Sequence, residues 1–79
     1  MPAEDDPEDA AVVQAAATAA ENVIFSRYSR REISDVDVTV TFEDGQLEVD
    51  VYLDAPGDAE QVAEDAVLAA RQAADDLLI

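Results

Sequence analysis

The stretch Asp35-Val36-Asp37-Val38-Thr39-Val40-Thr41-Phe42-Glu43-Asp44-Gly45-Gln46-Leu47-Glu48-Val49-Asp50-Val51-Tyr52-Leu53-Asp54 decides the fold. Apolar and polar residues alternate on both sides of Asp44-Gly45, and successive side chains of a strand point to opposite faces. An Asp-Gly pair between two such runs is a strong signal for a two-residue hairpin turn, because both turn positions need positive φ. With Asp44 and Gly45 at the tip the register follows. Phe42 faces Leu47, Val40 faces Val49, Val38 faces Val51 and Val36 faces Leu53, so one face of the ribbon is wholly apolar. The other face pairs Thr41 with Glu48, Thr39 with Asp50, Asp37 with Tyr52 and Asp35 with Asp54. It carries five carboxylates and no cation, so it is expected to face water.

Upstream, Asp6-Pro7-Glu8-Asp9 reads as a helix start: Asp6 suits the cap, Pro7 the first helical position, and the following carboxylates the positive end of the helix dipole. The helix is expected to run to about Arg27 or Tyr28. Val13, Ala16, Ala17, Ala20, Val23 and Ile24 form a stripe at helical spacing, with Gln14, Thr18 and Glu21 opposite. Phe25 falls on the polar side, which makes it a candidate interface residue. Downstream, Pro56-Gly57-Asp58 ends the second strand and starts another helix, with Gln61 placed after Asp58 as in a capping box. Ala59, Val62, Ala63, Ala66, Ala69, Ala70, Ala73 and Leu77 make its core side, and Glu64, Gln72, Asp75 and Leu68 lie opposite. Leu68 is the second interface candidate.

The predicted class is therefore α+β with the order αββα, both helices packed on the apolar face of one antiparallel two-stranded hairpin. Residues 7–79 form a single domain, without internal repeat or linker, and the acidic, apolar-poor residues 1–6 are expected to be mobile. A lone two-stranded sheet is marginally stable and has two open edges. Dimerisation with a second copy or a paralogous chain is the expected way of extending it.

A length of 79 residues leaves room for one small core, and alanine, the commonest apolar residue here, removes little area from water per side chain. The net charge of -16 arises from 20 acidic residues against 4 arginines, with no lysine. Such a chain repels itself in dilute buffer and stays dispersed where molar salt screens charges within about 3 Å. Adaptation to a salt-rich cytoplasm is the simplest reading. Nucleic-acid mimicry and binding of basic partners are the alternatives. The absence of Cys and His removes disulfides, thiol nucleophiles, imidazole bases and soft-metal sites together. No apolar run approaches the roughly 20 residues of a membrane span, and the N-terminus lacks the basic start and apolar stretch of a signal peptide, so a cytoplasmic location is expected.

Arg27, Arg30 and Arg31, bracketing Tyr28, form the only basic cluster. Cations at a helix C-terminus complement its dipole for roughly 0.3–1 kcal/mol each. Alternatively, arginine forks present RNA phosphate or an acidic partner with a docking point. The carboxylates Asp35, Asp37, Glu48, Asp50 and Asp54 resemble neither a metal loop nor a catalytic pair, because an open sheet face offers no pocket. Ser26, Ser29 and Ser34 have no candidate base, and Gly45 and Gly57 are too few for a phosphate loop. Arg71 is expected to pair with Asp75 one turn on. No catalytic, metal-binding or cofactor-binding residue emerges, so the chain is not expected to be an enzyme.

From Val13 to Leu77 the sequence resembles haloarchaeal members of an uncharacterised archaeal family whose gene lies beside that of the prefoldin beta subunit. The stretches that carry the resemblance are Ile24-Phe25-Ser26-Arg27, Val38-Thr39-Val40-Thr41-Phe42-Glu43-Asp44-Gly45 and Leu47-Glu48-Val49-Asp50-Val51-Tyr52-Leu53. The succession of helix, arginine-bearing connection, hairpin and helix is also similar to the small Pcc subunit of the KEOPS complex, which makes threonylcarbamoyladenosine on tRNA. That resemblance implies a non-catalytic accessory subunit that dimerises through its strands, binds a catalytic subunit through its helices and contributes to tRNA binding. By position, Arg30 and Arg31 match that family's basic connection, and Phe25 and Leu68 lie where a partner docks. The Pcc family has a strand before its first helix, which residues 1–6 here cannot supply, so a smaller sheet is expected. The alternatives are a small RNA-binding module using Arg27, Arg30 and Arg31, and a cofactor of prefoldin-type chaperoning.

Overall fold

The computed structural model describes residues 7–78. The Asp6 cap and the mobility of residues 1–6, both expectations from the sequence, lie outside them. The elements are α1 (Pro7–Arg27), a short 3-10 turn (Arg30–Glu32), β1 (Asp35–Glu43), β2 (Gln46–Asp54) and α2 (Ala59–Leu78). Their lengths match: helices of 21 and 20 residues rise about 30 Å, as do strands of 9 residues. A helix can therefore cover a strand from end to end.

The hairpin has the register expected from alternation, with Val36 on Leu53, Val38 on Val51, Val40 on Val49 and Phe42 on Leu47, closed by Glu43 on Gln46. Asp44 (φ 53°) and Gly45 (φ 76°) supply the two positive φ angles of the turn. The sheet has the two strands β1 and β2. Helix α1 packs over β1, α2 over β2, and the helices pack against each other, so all four elements form two layers.

The centre of the helix pair is an alanine seam. Val12, Ala16, Ala20 and Ile24 of α1, and Val62, Ala66, Ala70 and Ala74 of α2, are buried. Each set recurs every fourth residue, the row that interdigitates when helices pack ridge into groove, and small side chains let the axes approach. This corrects the expected stripes. Val12 is buried where Val13 was expected, with Val13, Ala17 and Val23 only half-buried, and Ala74 is buried in place of the exposed Leu77. The reason is that alanines lie on several faces of both helices and bulky residues such as Val12 and Val13 stand side by side, so the facing helix selects the row. Leu77 does not belong to the every-fourth-residue row that passes through Ala74.

Two polar expectations are also revised. The Gln61 amide donates to Asp65 Oδ1 at 3.0 Å instead of reaching back to Asp58, whose backbone carbonyl accepts the Val62 N–H at 3.1 Å. Glutamate closes a comparable box at the 3-10 turn, where the Ser29 N–H donates to Glu32 Oε1 at 2.9 Å. Arg71 and Asp75 make no ion pair; among the described residues that role falls to Arg27 and Asp65.

The ribbon's apolar face is thinly covered. Leu53 alone among its eight residues is buried, while Val36, Val38, Val40, Phe42, Leu47, Val49 and Val51 stay half-buried against the alanine seam. Short alanine side chains reach only part of a surface built from valines.

Candidate functional site

Three of the four cluster residues have partners within the chain. Arg27, in the last turn of α1, holds Asp65 Oδ2 of α2 through Nη2 at 3.1 Å. The Tyr28 hydroxyl donates to the Pro56 carbonyl at 2.6 Å, and the ring packs half-buried against the core. Arg30 lies over the ring of Phe25, with Cζ 5.2 Å from its centroid, a cation–π distance. Arg31 is exposed and joins no ion pair among the described residues. The cluster is thus divided: Arg27 and Tyr28 fasten the α1 end to the β2–α2 side, and Arg30 and Arg31 stand on the 3-10 turn.

Phe25 is 39% exposed, and its surroundings make it more than a stray apolar residue. A depression of about 280 Å³ is lined by Phe25, Arg30, Ile33, Ser34, Asp35 and Val36. Beside it a second, of about 260 Å³, is lined by Glu21, Phe25, Val36, Asp37 and Val38. Phe25 and Val36 belong to both, so the two form one groove between α1 and the strand edge that β2 leaves free. An open edge offers unpaired N–H and C=O groups, and an apolar floor beside it offers anchorage, the combination used when an extended chain adds to a sheet.

Leu68 is 64% exposed on α2, away from this groove's lining. Two surface features were not singled out in the sequence. Ile33 is an isolated apolar residue in the polar connection Ser29–Ser34, a signal that was available, and it packs against the core while lining the groove. Tyr52 is an exposed aromatic on the carboxylate face, legible from its odd place in the alternation.

The carboxylates Asp35, Asp37, Glu48, Asp50 and Asp54 are all exposed. Among the described residues no group of three or more acidic side chains is arranged to hold a metal ion, and no polar or charged residue is buried. No helix among them is long and apolar enough to cross a membrane.

A family model described as protein of unknown function, DUF3194, matches residues 5–77. An uncharacterised protein of Natronomonas pharaonis is 51% identical over 75 residues, covering 92% of this chain and 90% of its own. A crystal structure from Thermococcus onnurineus NA1 superimposes with a TM-score of 0.79 at 22% identity, covering 99% of this chain and 82% of that one, which shows a shared fold. The chain belongs to the DUF3194 family.

Proposed function

We propose that this protein is a non-catalytic accessory subunit that works by pairing with another protein chain, a second copy or a paralogue, through an edge of its hairpin. The observation that carries this reading is the groove in which Phe25 and Val36 lie beside an unpaired strand. Seven of the eight residues on the ribbon's apolar face are only half-buried, so a neighbouring chain would remove further apolar area from water at roughly 25 cal/mol per Å². The net charge of -16 suits a cytoplasm of high salt, where screening permits two such chains to meet.

The assembly served is, on the resemblance of helix, arginine-bearing turn, hairpin and helix to the Pcc subunit, a tRNA-modification complex of the KEOPS kind. Direct RNA binding is the weaker reading. Arg27 is committed to Asp65 and Arg30 lies on Phe25, which leaves Arg31 as the one arginine of the cluster without such an engagement among the described residues. A role beside prefoldin has only the gene neighbourhood of the resembled family behind it.

Sedimentation equilibrium in molar KCl at micromolar concentration tests the reading, together with Phe25→Ser. A dimer that the substitution weakens is the expected result. A compact folded monomer, unaltered by either a paralogous chain or tRNA, overturns it. Tight tRNA retention lost on replacing Arg30 and Arg31 with Gln, with sedimentation unchanged, would favour the RNA module instead.

A further inference from the structure

The two free edges of the hairpin differ in what they offer to another copy of the chain. A two-residue turn closes on a hydrogen-bonded pair, here Glu43 and Gln46, and antiparallel pairs alternate from there between bonded and non-bonded. Asp35, Asp37, Thr39, Thr41 and Glu43 therefore direct their N–H and C=O groups at β2. Those of Val36, Val38, Val40 and Phe42 point outward along the open edge of β1. On β2 the outward groups belong to Leu47, Val49, Val51 and Leu53.

Like charges directly opposite in an antiparallel pair are destabilising, so the possible two-fold axes can be ranked. On β2 every central axis opposes carboxylates. An axis at Val49 sets Asp50 against Glu48 of the second copy, one at Asp50 sets it against its own counterpart, and one at Val51 sets Glu48 against Asp54. On β1 an axis at Thr39 sets Asp35 against Glu43, and one at Val40 sets Asp37 against Glu43. An axis at Val38 opposes none: Asp35 meets Thr41, Asp37 meets Thr39, and Val36 meets Val40.

The same axis carries Phe42 of the second copy to the level of Ser34, at the depression lined by Phe25, Ile33 and Val36. Axes nearer the turn, at Thr41 or Phe42, also oppose no carboxylates, but they pair fewer residues of the strand, and the Val38 axis alone adds this apolar contact.

We infer that a second copy pairs antiparallel with β1 about a two-fold axis at Val38, joining two hairpins into a four-stranded sheet in which Phe42 of each copy seats against Phe25 of the other. This rests on the accessory-subunit reading and names its partner, edge and register. The outward N–H and C=O groups of Val36, Val38 and Val40 gain partners. Each copy brings a charge of -16, so the association strengthens with salt.

The chain has no cysteine, so a single introduced one reports which residue lies on the axis. A disulfide requires Cα atoms roughly 4.4–6.8 Å apart. Val38→Cys is expected to give a covalent dimer under mild oxidation in molar KCl, and Thr39→Cys and Asp50→Cys are not. Without any cysteine, Phe25→Ser is expected to raise the dimer dissociation constant by about tenfold or more, as loss of the aromatic seat for Phe42 implies. Cross-linking at Thr39 or Asp50 in place of Val38 overturns the register or the edge. A wild-type dimer with no cross-link at Val38 overturns the inference and leaves the subunit reading standing. A wild-type monomer that takes up a paralogous chain overturns the inference alone, and one unaltered by a paralogous chain or tRNA overturns both.

Discussion

The hydroxyl of Tyr28, just past the end of α1, donates a 2.6 Å hydrogen bond to the carbonyl of Pro56, in the connection that leads into α2. Residues 28 positions apart in sequence thereby tie the two connections at one end of the molecule. Gly57 follows, with φ +78°, and a Cβ there would lie 3.9 Å from the same hydroxyl.

Removing that hydroxyl tests how much the tie contributes. Tyr28→Phe keeps the ring against the core and is expected to cost about 1 kcal/mol, the usual net worth of one such bond. Denaturant unfolding in molar KCl measures it. No loss of stability would mean that water replaces the bond without penalty.

The Arg27–Asp65 pair has side chains 50% and 29% exposed, so solvent and salt screen it. Arg27→Gln is expected to cost no more than about 0.5 kcal/mol, and less still in molar KCl, as exposed ion pairs do. Thermal unfolding across a KCl series reads the difference, and a large, salt-independent loss would contradict this account.

The alanine seam has no room. Ala20 and Ala66 are fully buried between the helices, so Ala20→Leu or Ala66→Leu should force them apart and cost about 1–3 kcal/mol by overpacking. Leu68→Ser, at an exposed site, should change the stability of the isolated chain by less than about 0.5 kcal/mol. Chemical denaturation of the three variants side by side tests the contrast.

At the hairpin tip Gly45 has φ +76°, and a Cβ added there meets nothing within 4 Å. Gly45→Ala is thus expected to cost about 1 kcal/mol from backbone conformation alone, since the left-handed region is unfavourable for a residue with a Cβ. Gly45→Asn should cost less, because Asn tolerates that region. Equal losses in the two variants would point to a steric cause instead.

Dilution of salt tests the charge. With a net charge of -16 and one ion pair among the described residues, the midpoint of thermal unfolding should climb as KCl rises toward molar levels. A midpoint that falls or stays level over that range would show that self-repulsion does not limit stability.

The hairpin was legible residue by residue. Strand alternation has a period of two and an Asp-Gly turn admits one register, so local chemistry alone determined every cross-strand pair from Asp35–Asp54 to Glu43–Gln46. The order of elements and the outward positions of Phe25 and Leu68 were likewise written in the pattern. The inward row of each helix was not, because Ala16 and Ala17, or Ala73 and Ala74, are chemically alike and only the facing helix distinguishes them. Nor could the chain show which arginine would find a carboxylate. Arg27 meets Asp65 and Arg30 covers Phe25 because tertiary packing brings distant residues together, and the groove beside β1 exists only once α1 lies over the strand. Periodicity governs what neighbours in sequence do; contact between remote, interchangeable residues is decided by the volume they must share.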